Sequence, residues 1–382
     1  VFRFSSLATG FSILVSSAGI FQNILGATAL HRFIRKARIS DEEVHSSQNW
    51  PAITVLKPLH NNEPLLYEAL ESVFSQEYPN FQIVFGVQST QDSALPIIKQ
   101  LHKQYPHIPI EIVINDAEHG VNRKVSNLIN MYEAAQYNYL VISDSDIHCE
   151  PNYLKHVASS LAQTNTGLVT TLYAGRPASK TMVQQLGALQ INDNFLPGVM
   201  MSRVLGRQDC LGATMALTRE TLEKIGGLKA LANHVADDAV LGQLVRELGL
   251  DIAIAPTLTH TTVGEASFKE LLLHELRWGR TVKSVEPLGY TLSAIQLPLF
   301  WSALALLLRP RSPHIWAFFL STWAIRSGLS SLIDRQTKCT LHHKNFLLPF
   351  RDVLSVAIML GSVHGTRVAW RGRTVHIKKR KS

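Results

Sequence analysis

Apolar positions along this chain fall into three successive regimes. Residues 5–30 carry no charged side chain, a stretch longer than the roughly 20 residues a helix needs to cross a bilayer. Gln22 and Asn23 are its only strongly polar interruptions near the end. A retained membrane anchor over residues 1–32 is the expectation, with a signal peptide as its rival; no convincing Ala-x-Ala cleavage site precedes the basic residues that follow. From about residue 50 the pattern changes. Short runs rich in β-branched and aromatic residues at 53–57, 82–87, 110–114 and 139–143 alternate with helix-like segments at 63–76, 93–104 and 123–135. Strands alternating with helices of about 10–15 residues predict an α/β domain over residues 50–285, a Rossmann-like, mostly parallel sheet covered on both faces. The third regime holds apolar runs at 291–308, 315–333 and 346–363. They predict two or three membrane helices within 290–365, although Pro298, Arg326 and the pair Arg351-Asp352 interrupt them, and the last run also fits an interfacial helix.

Charge placement sharpens this picture. The chain has 382 residues, 46% of them hydrophobic and 17% charged, with a formal net charge of +8. Such a balance admits nucleic acid, a membrane surface or an anionic substrate as partner. The positive charge is clustered, however, at Arg32, Arg35, Lys36 and Arg38 and in a basic tail over 366–382. Basic residues flanking apolar spans point to cytoplasmic anchoring and away from nucleic acid. Arg309 and Arg311 lie between two late runs, so the same rule does not orient them. Cys149, Cys210 and Cys339 show neither metal-ligand spacing nor an even count, which fits a reducing compartment.

Candidate chemistry sits in three motifs. The fourth strand-like run stops at Asp144-Ser145-Asp146. Ligands of parallel sheets bind beyond the carboxyl ends of strands, and alternate carboxylates there can share a hard cation such as Mg²⁺ or Mn²⁺. A pair of turn-forming aspartates is the simpler alternative. Asp237-Asp238 opens a helical run at 240–248 after the Gly226-Gly227 turn. Acids there favour a helix N-terminus, and one of them can also serve as a general base toward a hydroxyl; both readings can hold together. His274-Glu275-Leu276-Arg277-Trp278 lies in a helical stretch at 267–283. Arg277 suits a diphosphate and Trp278 a sugar or lipid face, while an amphipathic helix at a membrane surface explains the same residues.

Asp144-Ser145-Asp146, Ala236-Asp237-Asp238 and His274-x-x-Arg277-Trp278 resemble the ordered motifs of membrane glycosyltransferases with a GT-A type nucleotide-sugar-binding fold. Leu56-Lys57-Pro58-Leu59, Phe85-Gly86-Val87-Gln88, the run from Gly120 to Leu128 and Gly212-Ala213-Thr214-Met215 narrow the resemblance to the ceramide glucosyltransferase family, glycosyltransferase family 21. Within that family the chain looks most like the bacterial branch associated with hopanoid biosynthesis. The resemblance implies inverting transfer of a hexose or N-acetylhexosamine from a UDP-sugar to a membrane-lipid hydroxyl. It also implies a multi-pass membrane protein of the bacterial inner membrane whose catalytic domain faces the cytoplasm. Asp144 and Asp146 would hold the Mg²⁺ or Mn²⁺; Asp92, Lys124, Asp144, Asp237 and His274 would serve the donor. Asp238 would be the base, with Arg277 and Trp278 at the diphosphate and acceptor. Two positions depart from the pattern: Ser89 stands where the family has its first Asp, leaving Asp92 as the nearest acid, and His274 replaces Gln or Arg. Asp92 is equally suited to capping a helix. Rival readings are a processive polysaccharide synthase, which needs a channel of several membrane helices, a polyprenyl-phosphate glycosyltransferase, and a catalytically silent membrane scaffold.

Overall fold

Ile53, Val55, Leu56, Ile83, Val84 and Phe85 are fully shielded from solvent, and the strands that carry them pair in parallel, Ile53 opposite Phe81 through Pro58 opposite Gly86. A computed structural model describes residues 2–46, 50–342, 344–363, 367–370 and 373–376. In chain order the elements begin with α1 (Phe2–Ser46), β1 (Ile53–Pro58), α2 (Leu66–Phe74), β2 (Phe81–Val87), α3 (Leu95–Gln104), β3 (Ile110–Ile114), α4 (Arg123–Met131), β4 (Tyr139–Ser143), β5 (Ile147–His148) and α5 (Tyr153–Leu161). Then follow β6 (Thr166–Pro177), α6 (Met182–Leu189), α7 (Leu196–Val204), β7 (Thr214–Thr218), α8 (Arg219–Lys224), α9 (Asp237–Glu247) and β8 (Asp251–Val263). The remainder is α10 (Phe268–Val285), α11 (Pro287–Leu292), α12 (Pro298–Leu308), α13 (Pro313–Thr337), α14 (Lys344–Gly361), β9 (Arg367–Trp370) and β10 (Arg373–His376). They form two units: a sheet unit of Phe33–Tyr173 and Gln208–Thr262, and a helical unit of Val1–Arg32, Ala174–Arg207 and Val263–Ser382.

The sheet unit is built on eight strands in the order β3-β2-β1-β4-β7-β6-β8-β5. Successive residues of β1 feed opposite cores. Ile53 and Val55 pack with Phe74, Phe85 and Val157, whereas Leu56 packs with Val84, Val125, Leu128 and Ile142. Coverage on both faces explains why these strands read as continuous apolar runs rather than alternating ones. The expected parallel sheet holds from β3 to β4 and then ends. β7 runs antiparallel to β4, with Tyr139 opposite Thr218, and β6 antiparallel to β7. The sheet is therefore mixed, because β7 inserts out of chain order between β4 and β6. Gly86 lets α4 approach β2 closely: a Cβ there would stand 2.2 Å from the Met131 sulfur, and the Asn127 amide donates to the Gly86 carbonyl at 2.8 Å. That contact fixes the helix carrying Lys124.

In the helical unit α1 packs backbone to backbone on the bend between α11 and α12. A Cβ at Gly19 would lie 2.2 Å from the Ile295 carbonyl, and Asn23 donates to the Gln296 carbonyl at 2.9 Å. Small residues permit such close approach between apolar helices. Among the described residues one helix, over Ser5–Ser40, is long and apolar enough to cross a bilayer; α11 with its following turn and α12 form a further pair bent by 63° that passes the same test jointly. Among the described late helices that bent pair alone passes the test of length and composition, and the expected two or three late spans are not tested by it. Residues 315–333 and 346–363 do form helices, α13 and α14, but their charges lower the apolarity. Those charges turn inward: Arg326, Arg351 and Asp352 are 0–1% exposed. Arg326 donates to the Asp193 carbonyl at 3.0 Å and to Asn23 Oδ1 at 3.1 Å, and it also donates to Asn194 Oδ1. Asp193 and Asn194 belong to a π-helical turn, Gln190–Phe195, between α6 and α7. Leu196 and Met200, in the apolar patch after that turn, are buried. Of the basic tail only 367–370 and 373–376 are described, as a two-stranded antiparallel ribbon; Lys378–Lys381 lie outside the described residues.

Candidate active site

Strand β4 delivers Ser143 into the sheet's interior, and the chain turns immediately after it. Asp144 donates its amide to the Ala213 carbonyl at 3.3 Å, and the Ile147 amide closes the turn onto the Asp144 carbonyl at 3.4 Å. Each following side chain has its own anchor. The Ser145 hydroxyl donates to Glu63 Oε2 at 2.6 Å, and the Thr261 hydroxyl donates to Asp146 Oδ2. Thr261 reaches this position because β5 pairs with β8, Ile147 opposite Thr261 and His148 opposite His260. Burial, and then the neighbouring Asp144 charge, push the Asp146 carboxyl up to about 6.

The second wall is the start of α4. Asn122 caps it by accepting from the Val125 amide at 3.0 Å, and its own amide group donates to the His234 carbonyl and to Asp237 Oδ1 at 2.8 and 3.3 Å. The loop before α9 is thereby tied to α4. From the second residue of α4, Lys124 Nζ lies 2.6 Å from Asp144 Oδ1 and 3.4 Å from Asp237 Oδ2. Burial pulls the lysine pKa down, but Asp144 and Asp237 outweigh it and hold the amine protonated above its usual range. Asp237 and Asp238 are the first two residues of α9; the preceding Ala236 gives no side-chain cap. Acids there match the helix dipole, so the capping and chemical readings coexist. Asp238 lies against Gly212, where a Cβ would stand 3.0 Å from its Oδ2. Burial and the adjacent Asp237 push the Asp238 carboxyl up to about 6. The Tyr173 phenol on β6 shares this field: burial, then Asp238, Asp144 and Asp146, raise its pKa well above the usual value.

The sheet unit therefore brings together Lys124, Asp144, Asp146, Asp237 and Asp238. Asp92 is placed differently. Both of its carboxylate oxygens accept from the Asn61 amide at 3.1 Å, and Oδ1 accepts from the Ala94 amide at 2.9 Å. With Ser93, whose hydroxyl accepts from the Asn62 amide at 2.7 Å, it laces the loop after β1 to the loop after β2. Ser89 accepts from the Gln91 amide at 3.1 Å within that second loop.

In the helical unit, α10 carries the third motif. His274 Nδ1 pairs with Glu265, whose carboxyl is held below its usual range by that bond against the opposing effect of burial. The Trp278 ring stands 5.6 Å from Phe195 and 6.2 Å from His274. Glu275 makes a bidentate pair with Arg351 of α14 at 2.7 and 2.8 Å. Sequence reasoning did not identify Glu63, Tyr173, Thr261 or Glu265, since each meets its partner only through long-range pairing or a loop.

Comparison with known proteins agrees with these motifs. The profile described as "Glycosyl transferase family 21" matches residues 13–382. "Ceramide glucosyltransferase" of Komagataella phaffii is 33% identical over 423 residues, covering 85% of this chain and 82% of that protein. "Ceramide glucosyltransferase 1" of Caenorhabditis elegans is 26% identical, covering 72% of this chain and 58% of that one, so the chain spans little more than half of the nematode protein. The solved structure "Mannosyltransferase PcManGT from Pyrobaculum calidifontis in complex with GDP-Man and Mn2+" is similar with 16% identity and a TM-score of 0.49, covering 91% of this chain and 99% of that one. This chain belongs to glycosyl transferase family 21.

Proposed function

We propose that this chain is an inverting glycosyltransferase of GT-A type that moves a hexose or N-acetylhexosamine from a UDP-sugar to the hydroxyl of a membrane lipid, a hopanoid polyol or a ceramide-like molecule. The observation that carries this reading is Lys124 held between Asp144 and Asp237, with Asp238 next in the chain. A cationic centre ringed by carboxylates at strand ends suits a diphosphate and its counter-ion.

The residues present fit a divalent cation. Burial first, and then the neighbouring Asp144 charge, disfavour the ionised Asp146 carboxyl, and a hard cation offsets both. Among the described residues no three acid, histidine or cysteine groups gather to enclose a metal. Mg²⁺ and Mn²⁺ tolerate this, since they complete their shell with substrate phosphate and water. Bound by Asp144 and Asp146, such an ion would neutralise charge on the departing diphosphate. Lys124 then turns from Asp144 to the phosphates, and Asp237 retains it nearby. Asp238, poised near neutrality, accepts the proton of the attacking hydroxyl, which contributes about 10²–10⁴ in rate. Attack opposite the diphosphate inverts the anomeric centre. Asp92 serves the nucleotide by holding the two loops in register. His274, Arg277 and Trp278 keep the donor, diphosphate and acceptor roles that the motif order implies.

Helix α1 and the apolar side chains that the helical unit leaves exposed, among them Leu7, Phe11, Leu14, Phe21, Leu307 and Phe346, support membrane residence. Cytoplasmic placement of the sheet unit and a multi-pass arrangement complete the proposal. Purified protein in detergent, offered a panel of UDP-sugars and a crude lipid extract with and without Mn²⁺ or Mg²⁺, tests it. Metal-dependent labelling of one lipid by one donor is expected; folded protein that turns over no donor would refute the reading.

A further inference from the structure

The phrase Leu56-Lys57-Pro58-Leu59 has no part in the reaction as described, yet Lys57 occupies an unusual place. It sits near the end of β1, opposite Phe85 of β2, and is 0% exposed. A strand lysine ordinarily leads its amine outward to water along its aliphatic stem. Here the amine instead ends beneath the turn that carries the paired aspartates. Lys57 Nζ donates to the Ser143 hydroxyl at 3.1 Å and to the Asp144 carbonyl at 2.6 Å. The Asp144 carbonyl is the one onto which Ile147 closes the turn at a longer 3.4 Å, so the lysine supplies the shorter of its two hydrogen bonds.

The anchors around this turn form a series. Lys57 holds Ser143 and the Asp144 backbone, Glu63 holds the Ser145 hydroxyl, and Thr261 holds Asp146. Of these four turn residues, only Asp144 has its side chain held by a lysine from α4. Burial lowers the Lys57 pKa, against the opposing carboxylates Asp146, Asp144 and Glu63; the Cys149 thiol beside it is itself pushed up by burial and stays neutral.

We infer that Lys57 is a positioning residue, its amine fixing the peptide that leaves β4 so that the Asp144 and Asp146 carboxylates together receive a divalent cation. This rests on the metal-assisted reading given above. Lys57 touches neither donor nor acceptor in this scheme; it acts through the backbone of Asp144. Its loss therefore weakens the cation site selectively and leaves recognition of the acceptor alone.

Electron paramagnetic resonance of Mn²⁺, alone and with UDP, is the test, carried out on the full chain and on Lys57→Met, Ser143→Ala and Asp144→Asn. The expected result is Mn²⁺ binding by the unaltered chain, at least tenfold weaker binding by Lys57→Met at a comparable melting temperature, and an unchanged acceptor KM. Ser143→Ala, which removes one of the two acceptors, should weaken Mn²⁺ severalfold, and it decides the matter if Lys57→Met does not fold. Mn²⁺ binding by Ser143→Ala, and by any folded Lys57→Met, as tight as in the unaltered chain overturns the inference while leaving the metal reading intact. No Mn²⁺ binding by the unaltered chain, with or without UDP, overturns both.

Discussion

Lys124 Nζ and Asp144 Oδ1 stand 2.6 Å apart, and the same amine reaches Asp237 at 3.4 Å. The protein thus holds its own monovalent cation where the proposed reaction needs a divalent one. Lys124→Gln leaves the two acids without that charge. The Asp144 side chain keeps 36% of its surface in water, so the loss should cost about 1–2 kcal/mol, below the about 3–5 kcal/mol of a fully buried pair. Thermal unfolding without metal should show a lower melting temperature. Added Mn²⁺ should raise it more in the variant than in the unaltered chain, because the metal replaces the missing charge. Calorimetric titration with UDP should show at least tenfold weaker binding. An equal Mn²⁺ effect on both proteins would argue against competition at Asp144.

The pH dependence follows from Asp238, raised from 3.8 to about 6. Transfer should fall as pH drops through about 6, since a protonated Asp238 cannot accept the hydroxyl proton. Stability moves the opposite way. A carboxyl whose folded pKa lies above its unfolded value contributes stability that is complete below about pH 4 and is lost as pH rises through about 6. Asp238→Asn removes the charge that carries this cost. It should abolish transfer, spare UDP binding, and raise metal-free stability at pH 7.5 by about 1–3 kcal/mol. Melting curves at pH 5 and 7.5 check the sign: the variant's advantage should shrink at the lower pH.

Much of this site was legible because local patterns carried it. Continuous apolar runs mark β1 to β4, and Asp144-Ser145-Asp146 falls where the fourth run stops. Helix α1, by contrast, continues to Ser46, past the basic cluster that marks the end of the expected anchor, since Arg and Lys are themselves good helix formers. The antiparallel half of the sheet was not legible, for β7 joins β4 by a pairing that no spacing announces. Thr261 and Tyr173 were hidden for the same reason. Lys57 was hidden by its type: a lysine in a strand reads as a solvent-facing residue, and only the fold shows it buried under the turn.

Gly212 offers a mild perturbation of the proposed base. A Cβ there would meet Asp238 Oδ2 at 3.0 Å and its Cγ at 3.4 Å, tight contacts that the carboxylate relieves by shifting a few tenths of an ångström. Gly212→Ala should therefore fold with a melting temperature near that of the unaltered chain. Displacing a proton acceptor slightly is costly to rate, so kcat should fall about tenfold or more, with the donor KM changed little. A variant of full activity would place the base elsewhere.

Glu275 and Arg351 give the helical unit its own test. Glu275 lies inside the motif that carries Arg277 and Trp278, and its carboxylate makes two bonds at 2.7 and 2.8 Å to a guanidinium that is 0% exposed. Glu275→Ala leaves Arg351 buried without that partner, a loss on the order of 3–5 kcal/mol. The double substitution Glu275→Leu with Arg351→Met removes both charges at once and should recover most of the lost stability, because two apolar groups bury without an unpaired charge. Melting temperatures of the two variants in detergent separate the outcomes. Recovery in the double variant means the pair chiefly holds α10 against α14; failure to recover means the Arg351 bond to the Leu186 carbonyl carries more of the packing than the pair does.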